Sequence, residues 1–420
     1  MATTGARVAG LIVSPRLAAA RRLAADAGAA LRLARPEITL YYQAGDAWSH
    51  LCAQLLPGLR ERVDADFRVV VVPPAADGSN AAPELGPPYA LLDAQRVAPA
   101  WGLAIPPAAR LPEPDLREAG ERALLGAADL DQFLAWERVV TAALWAGHRD
   151  ALAELTPAPD PDAVLAKNLA ELQARGHYQG GMWHFRGEWY WALDRLPYLE
   201  ARLRGLGRVH GDQPLTRLDP SRAALPAATG RADELDFFFS FRSPYSYIAV
   251  DAVAAVAERH GVRLNVRPVL PMVMRGLKVP RAKRLYIVRD TKREADRLGV
   301  PFGRLADPLG GGVERCLALF PHFAERGEEV PFLRAVGRAV WAEGRPVRKA
   351  RVMRRVLAAA GLDADVVDRY PPDAAPRYAE ANREALTELG LWGVPSFRAG
   401  NLATWGQDRL WLVEEALRRV

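Results

Sequence analysis

The chain repeats itself, and no other feature limits its fold so tightly. Ile38-Thr-Leu-Tyr-Tyr-Gln-Ala-Gly-Asp-Ala-Trp-Ser-His-Leu51 aligns without gaps on Leu235-Asp-Phe-Phe-Phe-Ser-Phe-Arg-Ser-Pro-Tyr-Ser-Tyr-Ile248. Farther on, Ala143-Leu-Trp-Ala-Gly147 echoes Ala339-Val-Trp-Ala-Glu-Gly344, and Trp191-Ala-Leu-Asp-Arg-Leu196 echoes Trp405-Gly-Gln-Asp-Arg-Leu410. Three matches in one order point to two copies of one fold. A chain of 420 residues is too long for one typical core and has room for both.

Each copy reads as strand, helix, strand, a long helical stretch, then two strands and a closing helix. In the second copy, 235–240 is the first strand, 245–260 the first helix and 263–268 the second strand. Helices are expected over about 280–389, a hairpin at 396–399 and 402–404, and a last helix at 407–419. Two strands joined by a helix form a right-handed βαβ unit, so part of each sheet is parallel and the fold class is α/β. Proline and glycine crowd residues 208–231, at Gly211, Pro214, Pro220, Pro226 and Gly230, as in a linker. The expected organisation is an N-terminal helical segment over 1–36, one domain over 37–207, a linker over 208–233 and a second domain over 234–420.

Composition narrows the function classes. The chain is 50% hydrophobic and 25% charged, ordinary for a globular protein. Its 2 cysteines, Cys52 and Cys316, are far apart and fit neither a disulfide framework nor a cysteine-rich zinc site. They read as packed, reduced thiols, which makes the cytoplasm the expected compartment. The net charge of +6 comes from arginine spread along the chain. Spread charge suits a solvated surface and anionic small molecules, whereas nucleic acid wants a clustered stripe with stacking aromatics. No apolar run is long enough for an integral membrane segment, and Val8–Val13 has no cleavage site after it. Residues 17–33 instead suggest an amphipathic helix, docked on its own domain or lying on anionic lipid. The histidines show no metal-ligand spacing, so no metal is expected.

The most informative segment runs from Phe237 to Ala249. A strand ends at Phe241 and a helix starts near Pro244, which suits a first helical turn because its missing N–H costs nothing there. Ser243 then takes the N-cap position. It is either a cap alone or part of an anion site made by the free N–H groups and positive end of the helix. Such a site would also lower the pKa of a bound thiol.

Phe241-Arg-Ser-Pro-Tyr-Ser-Tyr247 after an apolar strand resembles the opening of the 2-hydroxychromene-2-carboxylate isomerases and kappa-class glutathione transferases. These belong to the DsbA-like branch of the thioredoxin superfamily, and the resemblance implies two tandem thioredoxin-like domains, each with a helical insertion. Trp392-Gly-Val-Pro-Ser-Phe397 is similar to the family's Gly-Val-Pro loop, which implies a cis Pro395 facing Ser243. Trp405-Gly-Gln-Asp-Arg409 matches the start of the family's last helix. By the same resemblance, glutathione is the cofactor. Ser243 would be catalytic and steady its sulfur, Val394 and Pro395 would receive its cysteinyl unit, and Gln407 and Asp408 its γ-glutamyl end. Asp408 reads equally as a first-turn acid of the helix. Lys283, Tyr286, Asp290 and Arg293 resemble a family helix, which makes Lys283 and Tyr286 candidate substrate contacts; a solvated face with internal ion pairs is the other reading. The family's Gly-Asn step is missing, and Met274-Arg-Gly-Leu277 stands nearby instead.

The implied activity is glutathione-dependent isomerisation, or transfer, on a small conjugated enone acid of aromatic type. Ser243-Pro-Tyr-Ser246 lacks the two thiols that disulfide exchange needs. Two alternatives stand beside it: a non-catalytic binding or scaffold protein, and an atypical thiol–disulfide oxidoreductase using Cys52 or Cys316. The first copy departs further. Asp46 replaces Ser243, and Gly180-Gly-Met182 replaces the proline loop. A carboxylate there would repel a thiolate, so the first copy reads as a degenerate structural partner, forming an intramolecular pseudo-dimer with the second. Trp183, His184, Trp189, Tyr190 and Trp191 read as core or interface packing.

Overall fold

The computed structural model describes residues 10, 12–31, 35–75, 82–227, 232–277, 279–370 and 377–418. Val8, Ala9 and Leu11 of the apolar run Val8–Val13, and the end of the expected last helix, 419–420, fall outside the described residues. The chain divides into two compact units, Ala19–Ala224 and Leu225–Val420, the second grouped with Met1–Ala18.

In the first unit, helix α1 (Pro15–Leu31) precedes β1 (Glu37–Tyr42), α2 (Ala47–Arg62) and β2 (Asp66–Val71). Four inserted helices follow: α3 (Gly86–Val97), α4 (Pro114–Leu124), α5 (Leu130–Ala146) and α6 (Pro161–Ala174). The hairpin β3 (Met182–Phe185) and β4 (Glu188–Trp191) and helix α7 (Leu196–Arg204) complete the unit. The sheet order is β2-β1-β3-β4, with β1 and β2 parallel and the other pairs antiparallel. Polar contacts hold α1: Asp26 accepts hydrogen bonds from Arg186 (2.6 Å) and Arg202 (2.5 Å), and Arg22 pairs with Glu188. Leu23 on this helix is 72% exposed, so the amphipathic face expected from the sequence is not what seats it.

The stretch expected as a linker is well anchored through Ala224. Val209 bridges to Val63, the Leu215 N–H donates to Glu200, and the Ala224 N–H donates to the Arg96 carbonyl. Its prolines and glycines shape a path whose backbone groups find partners on the unit beneath.

The second unit starts with β5 (Glu234–Phe239), α8 (Pro244–His260) and β6 (Arg263–Pro268). Its insertion comprises α9 (Arg281–Leu298), α10 (Gly311–Ala324), α11 (Glu329–Trp341), α12 (Ala350–Ala359), α13 (Val366–Arg369) and α14 (Arg377–Glu388). The hairpin β7 (Ser396–Ala399) and β8 (Leu402–Trp405) leads to the last helix, α15 (Leu410–Arg418). The sheet order, β6-β5-β7-β8, and its parallel and antiparallel pairs repeat those of the first unit. Leu235–Phe239 is buried throughout, as befits a central strand covered on both faces. Phe237 stacks on Phe397 at 5.5 Å and meets Phe239 edge-on at the same separation, a geometry that aromatic quadrupoles favour.

Both units also bury an arginine after the hairpin. Arg195 and Arg409 are each 2% exposed, and each guanidinium donates to the carbonyl of the preceding aspartate, at 3.3 and 3.4 Å.

Candidate functional site

The site is built where β5 gives way to α8. Ser243 has an extended backbone (φ −90°, ψ 113°), and Pro244 opens the helix behind it. The Ser243 Oγ accepts a hydrogen bond from the Ser246 N–H at 3.1 Å and donates one to the Val394 carbonyl at 3.3 Å. It therefore caps the helix and at the same time reaches the loop opposite. Next to it, the Arg242 guanidinium is clamped by Asp307 through two bonds of 2.8 Å. A bidentate pair fixes the arginine's orientation as well as its charge.

The Val394–Pro395 peptide is cis. The Pro395 carbonyl accepts from the Gly406 N–H at 2.8 Å, and Ser396 pairs with Trp405 across the hairpin. Ser396 Oγ, fully buried, donates to the Gly393 carbonyl at 2.8 Å. A Cβ on Gly393 would fall 2.7 Å from the Trp405 indole nitrogen, so only glycine lets the backbone lie against that ring. One hairpin thus joins the proline loop to the turn Gln407–Arg409 that starts the last helix. Within that turn the Gln407 amide donates to the Asp408 carboxylate at 3.0 Å. Ser243, Val394 and Pro395 come together, and Gln407 and Asp408 follow directly on β8, at the same end of the hairpin as Pro395.

Lys283 and Tyr286 lie half-buried on α9, which packs against α8. They share a helical face with Asp290, at spacings of seven and four residues. Asp290 is buried and accepts from the Tyr245 hydroxyl at 2.7 Å, with Arg293 at 3.4 Å. Tyr245, inside the Ser-Pro-Tyr-Ser turn, is the residue that sequence reasoning passed over; it ties α9 to the start of the site helix. The hydrogen bonds of Ser243 run to Val394 and to its own turn, not to Lys283 or Tyr286.

Residues 234–418 match the family model of the DSBA-like thioredoxin domain. That match spans nearly all of the second unit. The 2-hydroxychromene-2-carboxylate isomerase of Pseudomonas putida is 28% identical over 199 residues, covering 44% of this chain and 95% of the relative. The enzyme of the same name from Sphingobium xenophagum is 27% identical over 195 residues, covering 44% and 97%. A solved structure of a 2-hydroxychromene-2-carboxylate isomerase aligns at 24% identity with a TM-score of 0.37, over 44% of this chain and 95% of the other.

In the first unit, Asp46 takes the N-cap of the helix after the first strand, as Ser243 does in the second. Asp46 caps α2, accepting from the Ser49 N–H (2.8 Å) and hydroxyl (2.7 Å), and burial raises its carboxyl pKa. The facing loop is closed down on it. A Cβ on Gly181 would lie 3.2 Å from the Asp46 carboxylate, and one on Gly180 would lie 2.6 Å from the Gln43 side chain. Behind Asp46 is a buried polar cluster absent from the sequence reading. Glu137 Oε1 accepts from Tyr42 (2.9 Å) and Thr141 (2.9 Å) and contacts His50 Nδ1 at 2.7 Å. Glu137 and Thr141 lie one turn apart on α5, a polar pair within a mostly apolar helix, and that was the available signal. The tryptophan cluster packs as expected: Trp183 and Tyr190 are fully buried, and Trp191 meets Trp48 at 5.2 Å.

Cys52 and Cys316 are both buried and joined by no disulfide. Burial pushes both thiols up in pKa, which disfavours the thiolate that redox chemistry requires.

Proposed function

We propose that the DSBA-like domain is a glutathione-dependent isomerase acting on a small conjugated enone acid. The observation that carries this is the 3.3 Å contact between the Ser243 hydroxyl and the carbonyl of a cis Val394–Pro395 peptide. The curated relatives are isomerases by name over this same half of the chain. The local groups fit the tripeptide. Among the described residues no backbone acceptor takes the Val394 N–H, which leaves it for a short β-type pairing with a peptide ligand. Gln407 and Asp408, next after the Gly406 that holds the Pro395 carbonyl, offer an amide and a carboxylate suited to an amino acid terminus.

When bound, glutathione supplies a sulfur nucleophile whose reversible addition to a conjugated double bond permits rotation there. Ser243 and the N-terminus of α8 stabilise negative charge on that sulfur, as helix ends do for other thiolates. Val394 and Pro395 orient the ligand backbone, and Lys283 and Tyr286 serve the substrate side. We further read the first unit as a degenerate copy of the domain, on the strength of the shared sheet order and the three aligned segments.

Isothermal titration of the whole chain with glutathione tests the reading. One saturable site per chain, in the low-millimolar range or tighter and weakened at least tenfold in Asp408→Ala, is the expected result. A folded chain that takes up no glutathione at 10 mM, a binding free energy weaker than about −2.7 kcal/mol, would sink it and leave a scaffold role.

A further inference from the structure

The parallel strands of the second unit end at one edge of the sheet. Phe239 pairs with Pro268 at the strand ends, and the Val269 N–H donates to the Phe239 carbonyl at 2.8 Å. From that edge β5 runs on to Ser243, and β6 runs on to the short 3-10 turn Met272–Arg275. Helix α14 reaches the same edge, because Asn382 donates to the Pro268 carbonyl at 3.0 Å, and Arg383 is the next residue. The carboxyl edge of parallel strands is where open α/β sheets take their ligands.

Arg275 is unusual among the arginines here. It is half-buried, its Nε is buried without a hydrogen-bond partner, and among the described residues no carboxylate pairs with it. Burial lowers its pKa, and the neighbouring Arg383 adds to the effect. Glu380, the nearby acid, is taken by Arg383 at 2.6 Å. A half-buried guanidinium whose Nε has no partner gains from an anion delivered to it.

We infer that Arg275, with Arg383 beside it, receives the carboxylate of the substrate at the sheet edge that carries Ser243. The class of ligand rests on the isomerase reading of the domain; the anion site itself rests on the placement of Arg275.

Cinnamate, an aromatic conjugated acid, and its neutral amide serve as probes for calorimetry on the full chain. Cinnamate is expected to bind wild type, and at least tenfold more weakly in Arg275→Ala and in Arg275→Gln, with melting temperatures unchanged. Cinnamamide is expected to bind wild type as weakly as the variants bind cinnamate, and glutathione affinity is expected to stay within twofold in both variants. Failure of wild type to bind cinnamate overturns the inference, as does equal binding by Arg275→Gln, or a loss confined to Lys283→Ala. If cinnamate binding depends on Arg275 while glutathione does not bind at all, the anion site stands and the glutathione reading falls.

Discussion

Asp46 and Ser243 occupy the same position in two sheets of the same strand order, and both cap a helix well. Asp and Ser are nearly equal as N-caps, so the fold is indifferent to the choice. The chemistry differs. At Ser243 a neutral hydroxyl faces a cis-proline loop, whereas at Asp46 an acid sits under a Gly-Gly backbone that closes on it. Residues that both units share are therefore read as structural, and those that differ as functional. Arg195 and Arg409 fall in the first class; Gln407, opposite the fully buried Leu193, falls in the second. Asp408 is matched by Asp194, so part of its role is architectural.

The sharpest way to break the comparison is to convert one unit's turn into the other's. Ser243→Asp keeps a competent cap, so stability should change by only about 0.5 kcal/mol. Turnover of an enone acid should drop at least a hundredfold, about 2.7 kcal/mol, because a carboxylate repels the sulfur. Unchanged turnover would remove the assigned role. In the first unit, Glu137→Ala leaves Tyr42, Thr141 and His50 without their shared acceptor. Loss on the order of 3 kcal/mol is expected, visible as faster hydrogen exchange confined to residues 37–207; a change below about 1 kcal/mol would mean that water replaces the acceptor.

Acid separates the units next. Burial lowers His177 to about 3, and burial followed by Arg175 lowers His184 to about 4. Both are neutral in the folded protein at pH values where the unfolded chain, near 6.5, already takes up protons. Below about 6.5 the unfolded state thus binds more protons, and stability falls as pH drops toward 4. His177 alone contributes up to about 1.4 kcal/mol per pH unit. Melting at stepped pH should show the first unit weakening through this window, and His177→Phe should flatten the slope; an equal slope in the variant would clear His177 of the effect. The smallest effect concerns Asp194→Ala, the control for Asp408→Ala. Both should cost about 1 kcal/mol or less in stability, and only Asp408→Ala should alter glutathione affinity. Equal behaviour in the binding assay would make Asp408 structural.

The succession of elements along the chain and the Ser243 turn were legible in the sequence because they rest on local signals. Phe237–Phe239 is a run too apolar to sit elsewhere than a buried strand, and Pro244 after Ser243 is a helix start. The cis Val394–Pro395 bond followed from the family resemblance and not from spacing. What stayed hidden joins residues far apart in the chain. Tyr245 meets Asp290 across 45 residues, and Tyr42 meets Glu137 across 95; neither partner marks the other in the sequence. The helix 15–31 was expected and is present, but what seats it stayed hidden for a related reason. Its alanines and leucines suggested an apolar face, but Asp26 settles its seat through two arginines beyond residue 185.

The Gly406 N–H that holds the Pro395 carbonyl makes the proline loop and the last helix's first turn parts of one rigid bracket. A peptide gripped at both ends of that bracket is measured against a fixed span. On the proposed glutathione reading, free cysteine would engage only one jaw and a longer thiol peptide would overshoot the other, which would build selectivity for chain length into the backbone.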